Sequence, residues 1–200
     1  MKEVFLSAGV PNPNKAHYEG PHDPDVLETA LRDLLTTVFE RRDVRLVWGG
    51  QPEISALAAD ICDELGGSFN EQFVLYQSGY FVDVEPELNK RIPNIERPDA
   101  QFVNGVKDLG ESLKYMRHEM MKRSELKLAI FMGGMGGIRE EFHIYKEHHP
   151  YDRVLLLGCT GGATGKLAQD YGTDDNEWTE YGELFREAID SVGLTDAGRE

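Results

Sequence analysis

The stretch from Leu128 to Phe142 constrains this chain more than any other. An apolar run, Leu-Ala-Ile-Phe-Met, empties into four glycines within five residues, and a helix-forming segment then opens with Glu140 and Glu141. A strand-to-helix junction of this kind aims unpaired backbone N–H groups and the positive end of a helix dipole at one small volume, which suits an anionic group such as phosphate. A nucleotide site is the first expectation.

Around this junction, short apolar runs alternate with amphipathic stretches, the pattern of an α/β fold in which a mostly parallel, doubly wound sheet carries helices on both faces. The periodicity predicts strands over Val4–Leu6, Arg45–Trp48, Phe73–Tyr76, Leu128–Met132 and Val154–Gly158. It predicts helices over Asp25–Arg41, Pro52–Leu65, Gly110–Ser124, Ile138–Glu147 and Tyr181–Val192, with Gly161–Tyr171 at least partly helical. Pro11 to Pro24 reads as a surface loop and Thr173 to Glu177 as a small acidic one. Val82 to Val106 is rich in proline and charge and weakly periodic, so it reads as a long loop or lid with at most short helices. Three glycine-bearing turns follow predicted strands, at Gly49-Gly50, Gly133–Gly137 and Thr160–Gly165. Because strand carboxyl ends line one edge of such a sheet, all three are expected to face one crevice.

The length of 200 residues supports one well-buried core, so a single domain over 1–200 is expected. A net charge of −15 argues against duplex DNA or RNA as a partner, since polyphosphate must be met by clustered Lys and Arg. The N-terminus lacks the apolar core of a secretion signal and no stretch approaches membrane-spanning length, so a cytoplasmic protein without a membrane partner is expected. Cys62 and Cys159 stand far apart, outside any CxxC spacing, and are expected to be reduced and buried. The six histidines show no HExxH or convergent ligand spacing, so neither a metal nor another cofactor is expected.

Each candidate has a plain structural reading beside the functional one. Glycine after a strand is often only a tight turn, and neither GxGxxG nor GxxxxGK[ST] is met. Glu140 and Glu141 would stabilise a helix N-terminus through the macrodipole alone, although two acids beside a phosphate would repel it, which points Glu140 toward a sugar. Arg117 could be a solvated surface arginine, His118 an exposed helix histidine, and Trp48 a core residue rather than a platform for a base. No GxSxG elbow surrounds Ser7 or Ser78, which disfavours acyl-transfer hydrolysis.

The string Gly133-Gly-Met-Gly-Gly-Ile-Arg-Glu140 resembles the PGGxGTxxE signature of the Lonely Guy phosphoribohydrolases, once misnamed lysine decarboxylases, and of the wider SLOG superfamily. Leu46-Val-Trp-Gly-Gly50 is similar to that family's LVYGG turn, and Val4-Phe-Leu-Ser-Ala-Gly9 stands where its first strand and loop would be. Arg117 precedes Glu140 by 23 positions, the family's separation between active-site arginine and glutamate. Met132 replaces the motif's proline and Gly137 its threonine, so one hydroxyl expected near the phosphate is missing. The departures are those of a divergent branch, closer to SLOG domains of bacterial nucleotide signalling and defence than to hormone-activating enzymes.

The resemblance implies a Rossmann-like sheet and a nucleotide-like small-molecule ligand. It implies Arg117 and Glu140 as the catalytic pair, with Gly133, Gly134, Met135, Gly136, Gly137, Gly49, Gly50, Ser7, Ala8, Thr160, Gly161 and Gly162 around the nucleotide. In this reading the phosphate rests on the Gly133–Gly137 N–H groups, joined by Thr160–Gly162, and the base approaches Gly49-Gly50. The implied activity is cleavage of the N-glycosidic bond of a nucleotide or nucleotide derivative, with Glu140 stabilising ribose charge or activating water. The alternative is a sensor of a nucleotide second messenger, such as one derived from ADP-ribose or NAD, that binds without turnover. A third reading, a partner-binding acidic mimic, needs its acids clustered on one face, and they are spread along the sequence. Relatives of this kind are commonly homodimers, with the arginine-bearing helix near the contact.

Overall fold

The computed structural model describes residues 1–172 and 180–192; the acidic Thr173–Glu177 loop lies outside them. Six parallel strands form the main sheet: β1 (Lys2–Gly9), β2 (Val44–Gly49), β3 (Phe73–Tyr76), β4 (Asn94–Glu96), β7 (Leu126–Gly133) and β8 (Arg153–Leu157). Their order is β4-β3-β2-β1-β7-β8. The chain therefore builds outward from β1 to one edge and then returns to lay β7 on the other side of β1. Between β1 and β7 the connections leave in opposite directions, and a crevice opens at the strand carboxyl ends.

Alternation along the strands sorts side chains onto two faces, each covered by helices. On one face Val4 and Leu6 of β1, Leu46 and Trp48 of β2, and Ile130 and Met132 of β7 pack against α1 (Pro24–Glu40), α2 (Pro52–Glu64) and α6 (Tyr181–Ser191). On the other, Phe5, Val47, Ala129 and Phe131 meet α3 (Leu109–Met121), α4 (Gly136–His148) and α5 (Gly162–Tyr171). Trp48 is a core residue whose Nε1 donates to Ser55 Oγ at 3.3 Å. No described helix is long and apolar enough to cross a membrane.

Local chemistry sets the starts of α1 to α3. Asp23 Oδ1 accepts from the N–H groups of Asp25 and Val26, the Gln51 side chain from Ile54, and Asp108 Oδ1 from Glu111, while Pro24 and Pro52 occupy first-turn positions where a missing N–H costs nothing. Helix α4 has no side-chain cap. Its donors are left for something else.

The segment expected to be a loop over Val82–Val106 is more ordered than its sequence suggests. It holds the edge strand β4, paired with β3 through Val74–Asn94 to Tyr76–Glu96, two short 3₁₀ turns and an antiparallel hairpin of β5 (Gln101–Val103) and β6 (Val106–Asp108). The hairpin turns at Asn104-Gly105, both at positive φ, the pair that a two-residue turn of this hand demands. β4 is three residues framed by Pro93 and Pro98, too short to show a period. The two cysteines also divide: Cys62 is buried as expected, but Cys159 is exposed, because it sits on the turn after β8 rather than within an element.

Candidate functional site

At the crevice the ends of β1, β2, β3 and β7 surround a cavity of about 230 Å³. Its walls include Ser7 and Ala8 from β1, Gly49 and Gly50 after β2, Gln77 and Ser78 after β3, and Gly134, Met135 and Gly137 from the β7–α4 junction. Arg117 and Met116 close it from α3, with Glu141 from α4.

The junction itself is built by backbone contact. Gly133 has φ +57°, and a Cβ there would lie 2.5 Å from Gly9 O, so only glycine fits where β1 and β7 end side by side. Gly134 N–H donates to Gly9 O at 2.6 Å and Gly133 N–H to Thr160 Oγ1 at 2.8 Å. Five N–H groups were expected to cradle an anion. Two are consumed within the protein, and the N–H groups of Met135, Gly136 and Gly137 are left without an acceptor among the described residues. These three sit at the uncapped start of α4, where the helix dipole adds its positive end.

Thr160, Gly161 and Gly162 correct the expectation of a third binding turn. They stand behind the junction rather than in the cavity wall. Thr160 is fully buried and donates to Leu157 O, Gly162 N–H donates to Pro21 O, and Ala163 N–H to Gly134 O at 2.9 Å. Thr164 Oγ1 donates to Gly133 O. The turn is a buttress that fixes the Gly133-Gly134 peptides, because its own donors are already spent.

Arg117 joins two carboxylates. Its Nη1 donates to Glu140 Oε2 at 2.5 Å and its Nε to Glu141 Oε1 at 3.2 Å, and Ser7 Oγ donates to Glu141 Oε2 at 2.5 Å. The Arg117 and Glu141 side chains are 14% and 15% exposed and Glu140 is 42% exposed, so Glu141 faces the cavity while Glu140 stands at its rim. Helix α4 starts at Gly136, which puts both acids one turn inside and not in the first turn; simple dipole compensation does not account for them. A Cβ at Gly137 would lie 3.0 Å from Arg117 Nη2. The missing threonine of the motif thus makes room for the guanidinium.

The structure brings together Ser7, Ala8, Gly49, Gly50, Arg117, Gly134, Met135 and Gly137 in one wall, and leaves Gly133, Gly136, Glu140, Thr160, Gly161 and Gly162 outside it. Sequence reasoning missed Glu141 as the inward carboxylate, although it lies four residues after Gly137 and so on the same helix face. Gln77 was missed as well. Its signal was its position directly after a strand, shared with the other turns.

Outside the cavity a second charged cluster holds the sheet. Glu3, 2% exposed, accepts from Arg123 Nε and Nη2 at 2.6 Å each and from Arg45 Nη1 at 3.2 Å. Arg123 Nη1 also donates to Tyr76 Oη, and burial pushes the Tyr76 hydroxyl above its ordinary range. His118 is not a lone exposed histidine: its Nδ1 lies 3.2 Å from His148 Nε2. Among the described residues no group of three or more His, Cys, Asp or Glu could hold a metal ion.

The model of the SLOG cluster3 family matches residues 17–189. No curated protein matches the chain.

Proposed function

Because the chain belongs to the SLOG cluster3 family, a membership that supports a nucleotide-related function, we propose that it binds a nucleotide or nucleotide derivative and hydrolyses its N-glycosidic bond. The observation that carries this reading is the chain Glu140–Arg117–Glu141–Ser7, which runs from the cavity to its rim, together with the three unpaired N–H groups at the start of α4. The phosphate is assigned to the Met135–Gly137 N–H groups, the ribose to the Arg117–Glu141 side and the base to Gly49-Gly50. A cavity of about 230 Å³ lies below the range of about 300–1,000 Å³ common for drug-sized ligands, which favours one nucleotide unit over two.

In the proposed step the bond between ribose C1′ and the base nitrogen breaks and its electron pair leaves with the base. Positive charge then grows on the ribose, and Glu141, only partly solvated, stabilises it. Water adds its oxygen to C1′; its proton passes to Glu140 at the open rim and on to the departing base. Arg117 orients both carboxylates through directional donors. The same reading includes a homodimer through α3 and its neighbouring hairpin, where Phe102 and Val106 are 60% and 69% exposed.

Chromatography of nucleoside monophosphates, ATP, NAD and cyclic ADP-ribose after incubation should show release of a free base. Glu141→Ala and Glu140→Ala should each lower that rate by about 100-fold or more. Absence of free base from every compound defeats the hydrolase reading. One observation favours a sensor: both oxygens of Glu141 are already engaged, by Ser7 and Arg117. Calorimetric binding without turnover would establish it.

A further inference from the structure

Gln77 follows the last residue of β3 and is 6% exposed, with its backbone N–H donating to Glu96 O at 2.9 Å. Its Oε1 accepts from Asn89 Nδ2 at 3.2 Å. Asn89, 2% exposed, also donates from Nδ2 to Glu85 Oε1 at 3.1 Å, and Glu85 is itself gripped by Arg97 at 2.8 Å. A carboxylate only accepts, so the nitrogen of Asn89 must face Glu85, and the other hydrogen of that nitrogen goes to Gln77. The oxygen of Gln77 is thereby turned toward Asn89. Gln77 lines the cavity, and its amide nitrogen has no acceptor among the described residues.

Tyr145 Oη is the buried side-chain atom without a partner among the described residues, so the Gln77 nitrogen is open to water in the free protein, and a ligand acceptor would take that water's place. Gln77 lies beside Gly50, where any side chain would collide with its Oε1, and the cavity wall here also includes Ser78, Phe81 and Met116. An aromatic ring with apolar neighbours and a fixed N–H donor is a site for a flat heterocycle read along one edge.

Resting on the nucleotide reading above, we propose that Gln77 selects the base, taking a nucleotide whose base presents a carbonyl oxygen at its edge, as a 6-oxopurine does, over one that presents an amino group. A carbonyl accepts from Gln77 Nε2. An amino group would set donor against donor and leave both unpaired, and sites built this way discriminate strongly. The Asn89–Glu85–Arg97 relay keeps the amide from rotating to suit the wrong base.

Inosine and adenosine monophosphates differ at this edge and little elsewhere, so calorimetric titration of both is the test. The protein should bind the inosine nucleotide roughly tenfold or more tightly than the adenosine one. Gln77→Glu, which still accepts from Asn89 but offers only acceptors to the cavity, should reverse the order. Asn89→Leu, which frees the amide to turn over, should erase the preference; circular dichroism confirms that each variant is folded. Equal affinities in the parent protein, preference for the adenosine nucleotide, or an unchanged preference in Gln77→Glu overturns the proposal and leaves the nucleotide reading standing. Failure of both nucleotides to bind removes the two together.

Discussion

Replacing Glu3 by Gln should cost the protein about 2–4 kcal/mol of stability at neutral pH. The carboxylate is 2% exposed and accepts three charge-assisted hydrogen bonds, two from Arg123 and one from Arg45. Each such bond contributes about 1.5–3 kcal/mol, and breaking a buried pair by removing one partner commonly costs about 3–5 kcal/mol. The arginine side chains keep 21% and 29% of their exposure, so water relieves part of the loss and brings the expected cost down to about 2–4 kcal/mol. Glutamine also turns an amide N–H₂ toward an arginine N–H, donor facing donor. In a chain of this size the midpoint of thermal unfolding should fall by roughly 5–15 °C.

The pH dependence fixes the cause. Burial alone would raise the Glu3 pKa, but the Arg123 and Arg45 guanidinium groups outweigh it and hold the carboxyl below its ordinary value of 4.5. A depressed carboxyl contributes its full stability above the unfolded-state pKa and loses it as pH falls through the folded-state value. The difference between parent and Glu3→Gln should therefore be largest at pH 7 and shrink below about pH 4.5. Urea unfolding followed by circular dichroism from pH 7 to pH 3 measures it. A gap under about 0.5 kcal/mol at pH 7, or one that does not change with pH, would refute the reasoning.

Gly133→Ala should destabilise by at least about 2 kcal/mol, since it combines a left-handed backbone with a clash against a carbonyl that cannot move. Urea unfolding at unchanged midpoint would show that β1 and β7 do not meet as closely as described. Burial and the neighbouring His118 lower the pKa of His148 below its ordinary 6.5, so the unfolded chain takes up this proton first and stability should fall as pH drops below about 6.5. Melting at pH 7.5 and 5.5 should separate more in the parent than in His148→Gln; equal separation would exclude the histidine pair as the source.

How much of this was legible depended on whether the signal was local. Strand β3 is read from sequence as Phe73–Tyr76 and observed there, because four consecutive buried apolar residues between polar turns have no other good arrangement. Strand β4 escaped notice: Asn94-Ile-Glu96 has no period, and pairs only because β3 presents an open edge. Asn104-Gly105 is a readable hairpin signal inside a segment dismissed as a lid. At the site, the Gly133–Gly137 turn and the pairing of Arg117 with Glu140 were visible as a motif and a spacing. Which turn would buttress and which would face the cavity was not visible, since Gly133–Gly137 and Thr160–Gly165 are both glycine-rich turns after a strand.

Sequence by itself determined the strand and helix periods, hence a parallel sheet covered on both faces, and the family likeness at the Gly133–Glu140 junction. Those features follow from spacing along the chain, and spacing is a local property. Only tertiary structure decided that Glu141 faces inward, that Thr160–Gly162 supports from behind, and that Asn89 orients Gln77. These outcomes depend on which donor reaches which acceptor across elements 12 to 134 residues apart, and that pairing exists only after the sheet has ordered β1 beside β7.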